Sequence, residues 1–482
     1  MGEQKSSALV FSLKSRPRLL YPWILRDDGD NLLLYKCSTD ELRYLVLSPA
    51  QALIIPFFSG ERTYEEIQSI WLYLVKSSDR TEDLDFLNSM LYNLTSPDKI
   101  IGISGEPSYS LKDKTKIPIP DFKNYRWPAE RTSLPISVMV SLTNRCAADC
   151  LYCYAERKPC EELNLNEWKI IFDKLSGNSI YLVDLSGGDV FARKDIFEIL
   201  QEMAAREFIF FISTKSYVSP SKALQLASLG IGINNPKVPF RDMQVSVDSI
   251  INKVASSLTN IKDYLPRAKA TTKNLIAAGM NPRIKCVLTP YNWMEIEDII
   301  KVFSELGVRR FHFVQYGRSL YRHSDNFFLT KEQKLYIHNI VPELKNKYKE
   351  LEIECQDDIP AAKPSIEEWN SRAICTGGRS SMIILPNGDV TLCEQLPHSP
   401  EYVVGNLLSQ SLPDIWNGTA VESLLHPPRE KFSGTACFVC ADFDECHTRK
   451  GYCYRDSLSA FGNFYDAPPN CPKQDKIPLR LI

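Results

Sequence analysis

At 482 residues the chain is too long for one ordinary domain. Hydrophobic residues at 44% and charged residues at 24% describe a globular protein with a full core. Its 57 basic and 59 acidic residues, a formal net charge of −2, exclude a protein built around bulk attraction to nucleic acid. No apolar run reaches the ~20 residues that span a bilayer, and the first residues lack a secretory apolar core, so the expected setting is the cytoplasm with no membrane partner.

Residues 1–105 predict a small unit. Two short apolar runs, 31–37 and 43–47, flank a polar turn as in a hairpin. Ser48 is placed to cap a helix over PAQALIIPFF, with Gly60 as its stop. Thr63 and Glu66 form a capping box ahead of Ile67, Ile70 and Leu74, and Leu84, Leu87 and Leu91 predict a third helix. A hairpin followed by helices is winged-helix-like. Segment 106–135, with Pro107, Pro118, Pro120, Pro128 and Pro135, reads as a linker.

From 136 to 320, strand and helix patterns alternate. Strands are predicted at 137–142, 180–185, 208–213, 243–247, 283–288 and 310–314, and helices at 166–175, 194–205, 221–229, 261–278 and 294–306. This alternation implies an α/β fold with a parallel sheet and right-handed crossovers. Six units make a partial (β/α)6 barrel, with chemistry expected at the C-terminal strand ends. Residues 321–374 read as a bridging helix and linker, and 375–482 as a loop-rich, cysteine-rich domain.

The chain has 14 cysteines, half of them after position 374. Without a signal peptide, clustered thiols bind metal or do redox work more often than they form structural disulfides. Cys146-x3-Cys150-x2-Cys153 directly follows the first barrel strand. Three thiolates on a short loop hold three irons of a [4Fe–4S] cube and leave the fourth iron open. Zinc would want a fourth ligand nearby, and all six histidines lie elsewhere. The tail carries Cys375 and Cys393, then Cys437-x2-Cys440-x5-Cys446-x6-Cys453, then Cys471. Asn387 and Gly388 are a hairpin turn signal that would bring Cys375 and Cys393 together. Seven thiols exceed one four-thiolate site and suit two. Cys37, Cys160 and Cys286 read as buried or incidental thiols.

The loop TNRCAADCLYCY resembles the signature of the radical S-adenosylmethionine (SAM) superfamily, and the likeness covers about residues 136–320. The resemblance implies that the open iron chelates the amine and carboxylate of SAM. Reductive cleavage would then give a 5′-deoxyadenosyl radical that takes a hydrogen from the substrate. It places Tyr152 in the cofactor site. It also assigns SAM contacts to Gly187, Gly188 and Asp189 of SGGDV, where the family usually has Gly-Gly-Glu-Pro. Ser213 of STK stands where relatives have Thr-Asn-Gly, and Ser246 and Asp248 of SVDS resemble Ser-Leu-Asp-Gly. The arginine that pairs with the SAM carboxylate in relatives is missing from KVASSLTN, leaving Lys253 or Lys215 as substitutes.

The tail resembles the SPASM domain over about residues 350–475, although six residues rather than the family's three separate Cys446 from Cys453. The resemblance implies that Cys375, Cys393 and Cys453 ligate auxiliary cluster I, with Cys355 the candidate fourth ligand. Cys437, Cys440, Cys446 and Cys471 would ligate auxiliary cluster II. A pair of zinc ribbons is the generic alternative. Glu394 follows a ligand directly. It reads locally as an exposed strand-end carboxylate and, by resemblance, as a catalytic base. Gln315 and Arg318 follow the sixth barrel strand and are candidate pocket residues.

The segment YLVLSPAQALIIPFFSGERTYEEIQSIW is similar to the PqqD-like RiPP recognition element, over roughly residues 18–98. That family captures the leader of a ribosomally made precursor peptide as an added strand. Together the resemblances imply a peptide-modifying radical SAM enzyme. It would carry three [4Fe–4S] clusters and SAM, take electrons from a flavodoxin- or ferredoxin-type donor, and oxidatively modify a leader-bound precursor peptide, as by crosslinking. The alternatives are an anaerobic sulfatase-maturing enzyme, which would not need the N-terminal module, and a small-molecule radical SAM dehydrogenase.

Overall fold

The computed structural model describes residues 11–20, 23–29, 31–36, 43–95, 100–103, 131–234, 239, 241–356, 364–372, 374–450 and 453–478; Cys37 and most of the 106–135 segment lie outside them. The chain divides into two compact units, the first ending at Ser133 and the second beginning at Leu134.

In the first unit β1 (Pro17–Leu19), β2 (Trp23–Asp27), β3 (Leu32–Lys36) and β4 (Arg43–Val46) precede α1 (Pro49–Ile54), α2 (Tyr64–Leu74), α3 (Arg80–Thr95) and β5 (Ile101–Ile103). The expected hairpin is β3 with β4; β2 extends it to an antiparallel meander, and β1 pairs with β5. Both expected N-terminal caps form, but α1 gives way at Ile54 to a 3-10 turn over Ile55–Phe57, short of the expected stop at Gly60. The Ser48 side chain accepts from the Gln51 N–H and the Gln51 side chain answers to the Ser48 N–H; Thr63 and Glu66 repeat the exchange at α2. Each box satisfies donors that a helix start leaves unpaired. Leu32, Leu34, Ile67, Trp71, Leu87 and Leu91 fill one core.

The second unit opens with β6 (Ser137–Ser141), α4 (Leu165–Gly177), β7 (Leu182–Ser186), α5 (Ile196–Ala205), β8 (Phe210–Thr214), α6 (Pro220–Ser228) and β9 (Arg241–Ser246). There follow α7 (Asn252–Thr259), α8 (Tyr264–Ala277), β10 (Arg283–Leu288), α9 (Ile296–Ser304) and β11 (Arg310–Gln315). Each strand and helix expected between 136 and 320 is present, and α7 is additional. β8, β9, β10 and β11 pair in parallel in that order, as do β6 and β7; a bridge from Leu182 to Ile209 links the two groups.

Two further strands widen this sheet. After α10 (Lys331–Lys347), β12 (Glu352–Cys355) pairs in parallel with β11. After α11 (Ile366–Asn370), β13 (Ser381–Ile384) pairs in parallel with β6. The chain then turns at Gly388, φ +85°, into antiparallel β14 (Asp389–Thr391), with β15 (Gly405–Asn406) beyond it. The predicted Asn-Gly hairpin therefore forms, and it is stitched to the barrel sheet.

Alternation along the strands sorts side chains by face. Met243, Val245, Ile284, Cys286, Phe311 and Phe313 are buried. The opposite positions carry Ser213, Gln244, Lys285, Asp242, Arg283 and Arg310. At the N-terminal ends of the strands, Asp242 lies 2.7 Å from both Arg283 and Arg310, and Arg310 lies 3.3 Å from Glu352. Buried charges persist when matched in this way. The network closes one end of the strand array and leaves the C-terminal end for chemistry.

Candidate active site

The Cys146, Cys150 and Cys153 loop leaves β6 at the C-terminal end of the sheet. Backbone bonds hold it: the Asp149 N–H donates to Thr259 O (2.9 Å) and the Leu151 N–H to Leu258 O (3.0 Å), both at the end of α7. Arg322 adds an ion pair to Asp149 (2.5 Å), and Arg157 donates to Ala148 O (2.7 Å). Ala148, Cys150, Tyr152, Leu258, Tyr316 and Phe327 pack as one buried apolar group with Cys146 and Cys153 against it. Burial pushes the Cys150 thiol up to about 12, and the neighbouring Cys153 and Cys146 thiols push the same way. Burial raises the Cys146 thiol as well, so these two crowded thiols are costly to ionise alone. A bound metal cluster supplies the missing positive charge and holds them as thiolates, so this donor set fits the cluster implied by the sequence.

The turn after β7 presses against this loop. The Gly188 N–H donates to Thr143 O (2.7 Å) and the Asp189 N–H to Arg145 O (2.9 Å). Gly187 has φ +104°, and a Cβ there would come within 2.5 Å of Thr143 O. A Cβ at Gly188 would strike the Arg145 carbonyl. Both glycines are thus required by the first cysteine loop itself, a reason distinct from the expected approach to SAM. The Asp189 carboxylate also differs from expectation. It is 2% exposed, and Oδ2 accepts from Thr214 Oγ1 (2.7 Å), the Lys215 N–H (2.9 Å), the Ser216 N–H (3.1 Å) and Ser216 Oγ (3.0 Å). Oδ1 accepts from the Phe191 N–H (3.0 Å). This carboxylate staples the end of β8 to the glycine turn.

Asp248, expected to support SAM, is fully buried. It accepts from Tyr152 Oη and from the Val287 N–H (3.1 Å), and Lys215 Nζ lies 3.3 Å from Oδ2. Burial alone would depress the Lys215 ammonium, but Asp248 and Cys150 reverse this and hold it above its usual value. Lys215 is therefore tied to the Asp248 and Tyr152 network beside the first cysteine loop, while Lys253 is exposed. Ser213 and Ser246 stand side by side, 3.5 Å apart, with Gln244 donating to Ser213 (2.8 Å). Ser141 Oγ, at the end of β6 beside Gly187, is buried with no hydrogen-bond partner among the described residues. An orphaned hydroxyl at this strand end fits a polar ligand such as SAM.

The tail thiols fall into two groups. Burial raises Cys393 to about 11 and Cys453 to about 12, with Cys375 adding to each. Cys437, Cys440, Cys446 and Cys471 line one cavity with Ile366, Trp369 and Phe443. Burial lifts Cys437 to about 12, with Cys471, Cys446 and Cys440 contributing next. Cys375, Cys393 and Cys453 thus lie near one another, as do Cys437, Cys440, Cys446 and Cys471. Cys355 ends β12, in register with Phe313 and through it Cys286, and raises the Cys286 thiol further. Cys286 is buried and Cys160 is exposed.

Glu394 is not the exposed strand-end carboxylate that its local sequence suggests. It is half-buried and accepts from Tyr154 Oη (3.2 Å) and Ser186 Oγ (3.1 Å). Burial raises its carboxyl, opposed by those two hydroxyls and by Lys285 and Arg455. Tyr154 follows Cys153 and Ser186 ends β7, so the carboxylate joins the first cysteine loop to the tail. Lys285, whose ammonium is lowered by burial, is the nearby lysine that sequence reasoning missed; its place on β10 opposite Ser246 was the available signal. Gln315 bonds to Gln356 O (2.9 Å), and Arg318 lies 3.4 Å from Asp325 and over the Phe328 ring.

The family model of the radical SAM superfamily matches residues 140–303, and that of SPASM, an iron–sulfur cluster-binding domain, matches residues 375–447. The antilisterial bacteriocin subtilosin biosynthesis protein AlbA of Bacillus subtilis (strain 168) is 24% identical over 303 residues, 62% of this chain and 63% of that protein. The PqqA peptide cyclase of Rhizobium meliloti (strain 1021) is 24% identical over 288 residues, 58% of this chain and 73% of that protein. Among solved structures, Streptococcus suis SuiB bound to S-adenosylmethionine superposes with a TM-score of 0.64 at 15% identity, covering 94% of this chain and 99% of SuiB. SuiB bound to its precursor peptide SuiA gives 0.62 at 15% identity, covering 95% and 99%. At that identity the likeness is one of fold. The chain thus matches a radical SAM domain and, in its tail, an iron–sulfur cluster-binding SPASM domain. Among the described residues no helix is long and apolar enough to cross a membrane.

Proposed function

We propose that the chain is a cytoplasmic radical SAM maturase that oxidatively crosslinks a ribosomally made precursor peptide, whose leader is held by the winged-helix-like, PqqD-like unit at about residues 18–98. The observation that carries this reading is the meeting of Tyr154 and Glu394. The residue after the last cysteine of the first loop hydrogen-bonds the residue after Cys393, which supports one shared substrate site for the first cysteine loop and the tail.

In this reading Cys146, Cys150 and Cys153 hold the SAM-binding [4Fe–4S] cluster. Cys375, Cys393 and Cys453, with Cys355 as candidate fourth ligand, hold auxiliary cluster I; Cys437, Cys440, Cys446 and Cys471 hold auxiliary cluster II. Loaded in this way, the site would supply hydrogen-atom abstraction from the substrate and one-electron acceptors for its oxidation. The chain's own groups position and exclude. Ser213, Ser246 and Ser141 offer hydroxyls to the nucleoside and amino-acid ends of SAM, and the apolar wall of Tyr316 and Phe327 keeps water from the cluster loop. Asp248 and Lys215 hold Tyr152 from below. Glu394 Oε2 receives the proton that leaves the peptide as its radical is oxidised, a role suited to a carboxyl raised by burial. Leader capture raises the local concentration of the core segment without further contacts in the mouth. A flavodoxin- or ferredoxin-type protein supplies the first electron.

Co-expression of the full chain with a short peptide encoded beside its gene tests this directly. Mass spectrometry should show loss of two hydrogens per crosslink, and a peptide stripped of its leader should react far more slowly. Equal turnover with and without the leader would overturn the tethering role, and an unmodified peptide beside active SAM cleavage would overturn the substrate class.

A further inference from the structure

Two cations touch the sulfurs of the second tail group directly. Arg372 Nη2 donates to Cys446 Sγ at 3.0 Å, and Lys473 Nζ donates to Cys440 Sγ at 3.2 Å. Both are anchored. The Arg372 guanidinium lies 4.2 Å from the centroid of the Trp369 ring and bonds Trp369 O at 2.8 Å. Trp369 lies on α11, whose start is fixed by the reciprocal caps of Ser365 and Glu368, and its side chain lines the cavity of the four cysteines. Lys473 is pinned by Asp442 Oδ2 at 2.7 Å and follows Cys471 by two residues. Neither residue belongs to the cysteine pattern, and neither the sequence nor the likeness to SPASM assigns it a role.

We propose that Arg372 and Lys473 set the reduction potential of auxiliary cluster II, raising it so that this cluster is a ready one-electron acceptor. The inference rests on the reading that Cys437, Cys440, Cys446 and Cys471 hold that cluster. A [4Fe–4S] centre that gains one electron gains one negative charge, shared between its core and its thiolates. Hydrogen bonds and positive charge at those thiolates stabilise the reduced form more than the oxidised form, and the potential rises. No bond is made or broken, and the electron comes from any one-electron reductant. Arg372 and Lys473 are positioning residues, acting on two different ligands of one cluster.

The test is an anaerobic potentiometric titration of the full-length holoenzyme followed by electron paramagnetic resonance, with dithionite as reductant and iron measured on each sample. The signal lost in Cys440→Ala identifies cluster II. Arg372→Met and Lys473→Met should keep their iron yet show an about tenfold lower ratio of reduced to oxidised cluster II at the wild-type midpoint, a downward shift of about 59 mV for one electron. Lys473→Arg should restore the wild-type value. Full iron with an unmoved midpoint in both methionine variants overturns the proposal. Should Arg372→Met lose iron, the half-exposed Lys473 decides alone through its two variants. If Cys440→Ala loses no iron, the ligand assignment fails instead, and the two failures are told apart by iron content before any potential is read.

Discussion

Gly188→Ala is expected to dislodge the first cysteine loop. The new methyl would strike the Arg145 carbonyl oxygen and come within 2.6 Å of its carbonyl carbon, with Asn144 C at 3.0 Å, all backbone atoms that no rotamer change can move aside. Ordinary contact lies near ~3.5 Å, so the loop must withdraw by about 1 Å. Overpacking of this kind costs about 1–3 kcal/mol. The withdrawal also stretches the bonds from Gly188 to Thr143 O and from Asp189 to Arg145 O, each worth about 0.5–1.5 kcal/mol. A total of about 2–6 kcal/mol shifts the loop equilibrium roughly 30- to 20,000-fold towards a displaced form. Cys146 follows Arg145 directly, so the displacement reaches the ligands. The assay is iron content and SAM cleavage after anaerobic reconstitution. The Gly188→Ala enzyme should lose about one cluster's worth of iron, ~4 atoms, and nearly all cleavage. The control is Gly177→Ala at the end of α4, where a Cβ meets nothing within 4 Å; a helical alanine there should be neutral or stabilising by up to ~1 kcal/mol. A Gly188→Ala enzyme with wild-type iron and cleavage would refute the reasoning.

Asp248→Ala leaves the Lys215 ammonium, 13% exposed, without its ion-pair partner and should cost about 3–5 kcal/mol; adding Lys215→Met should recover part of that in urea midpoints, and no recovery would disprove the coupling. Glu394→Gln should keep iron and SAM cleavage but slow peptide modification about 10²- to 10⁴-fold by mass spectrometry, and unchanged modification would remove it from the mechanism. Burial depresses the Lys285 ammonium below its ordinary 10.5, with Glu394 opposing. The unfolded chain therefore binds more protons between the depressed value and 10.5, and stability rises with pH across that window. Lys285→Met should abolish that slope and raise the denaturation midpoint at neutral pH; an alkaline slope that persists in the variant would contradict the assignment.

What the sequence showed was local. The capping boxes at Ser48 and Thr63 and the Asn387 and Gly388 turn are each decided within a few residues, and all three form. The barrel strands stand out because each is a short apolar run between helices. α7 was missed because its start carries no side-chain cap and it buries only Ala255, Leu258 and Thr259. The pairing of β13 with β6 has no local signature at all, since the partners are more than two hundred residues apart. The site divides in the same way. Cysteine spacing is a property of loops and was readable. The surroundings of Asp189 and Glu394 are set by residues such as Ser216 and Tyr154 that only the folded chain brings near, so one acidic side chain became a buried staple and the other a half-buried link between the first cysteine loop and the tail.

The ladder between β13 and β6 has a practical side. β6 feeds the first cysteine loop, and one of its edges is satisfied only by a strand contributed from beyond residue 380. A chain cut before that point would present the bare N–H and C=O groups of Ser137–Ser141 to any passing strand. Expression of the central barrel alone should therefore yield inclusion bodies rather than a small working catalyst, and the cysteine-rich tail is as much a lid on that hydrogen-bonding edge as it is a carrier of thiols.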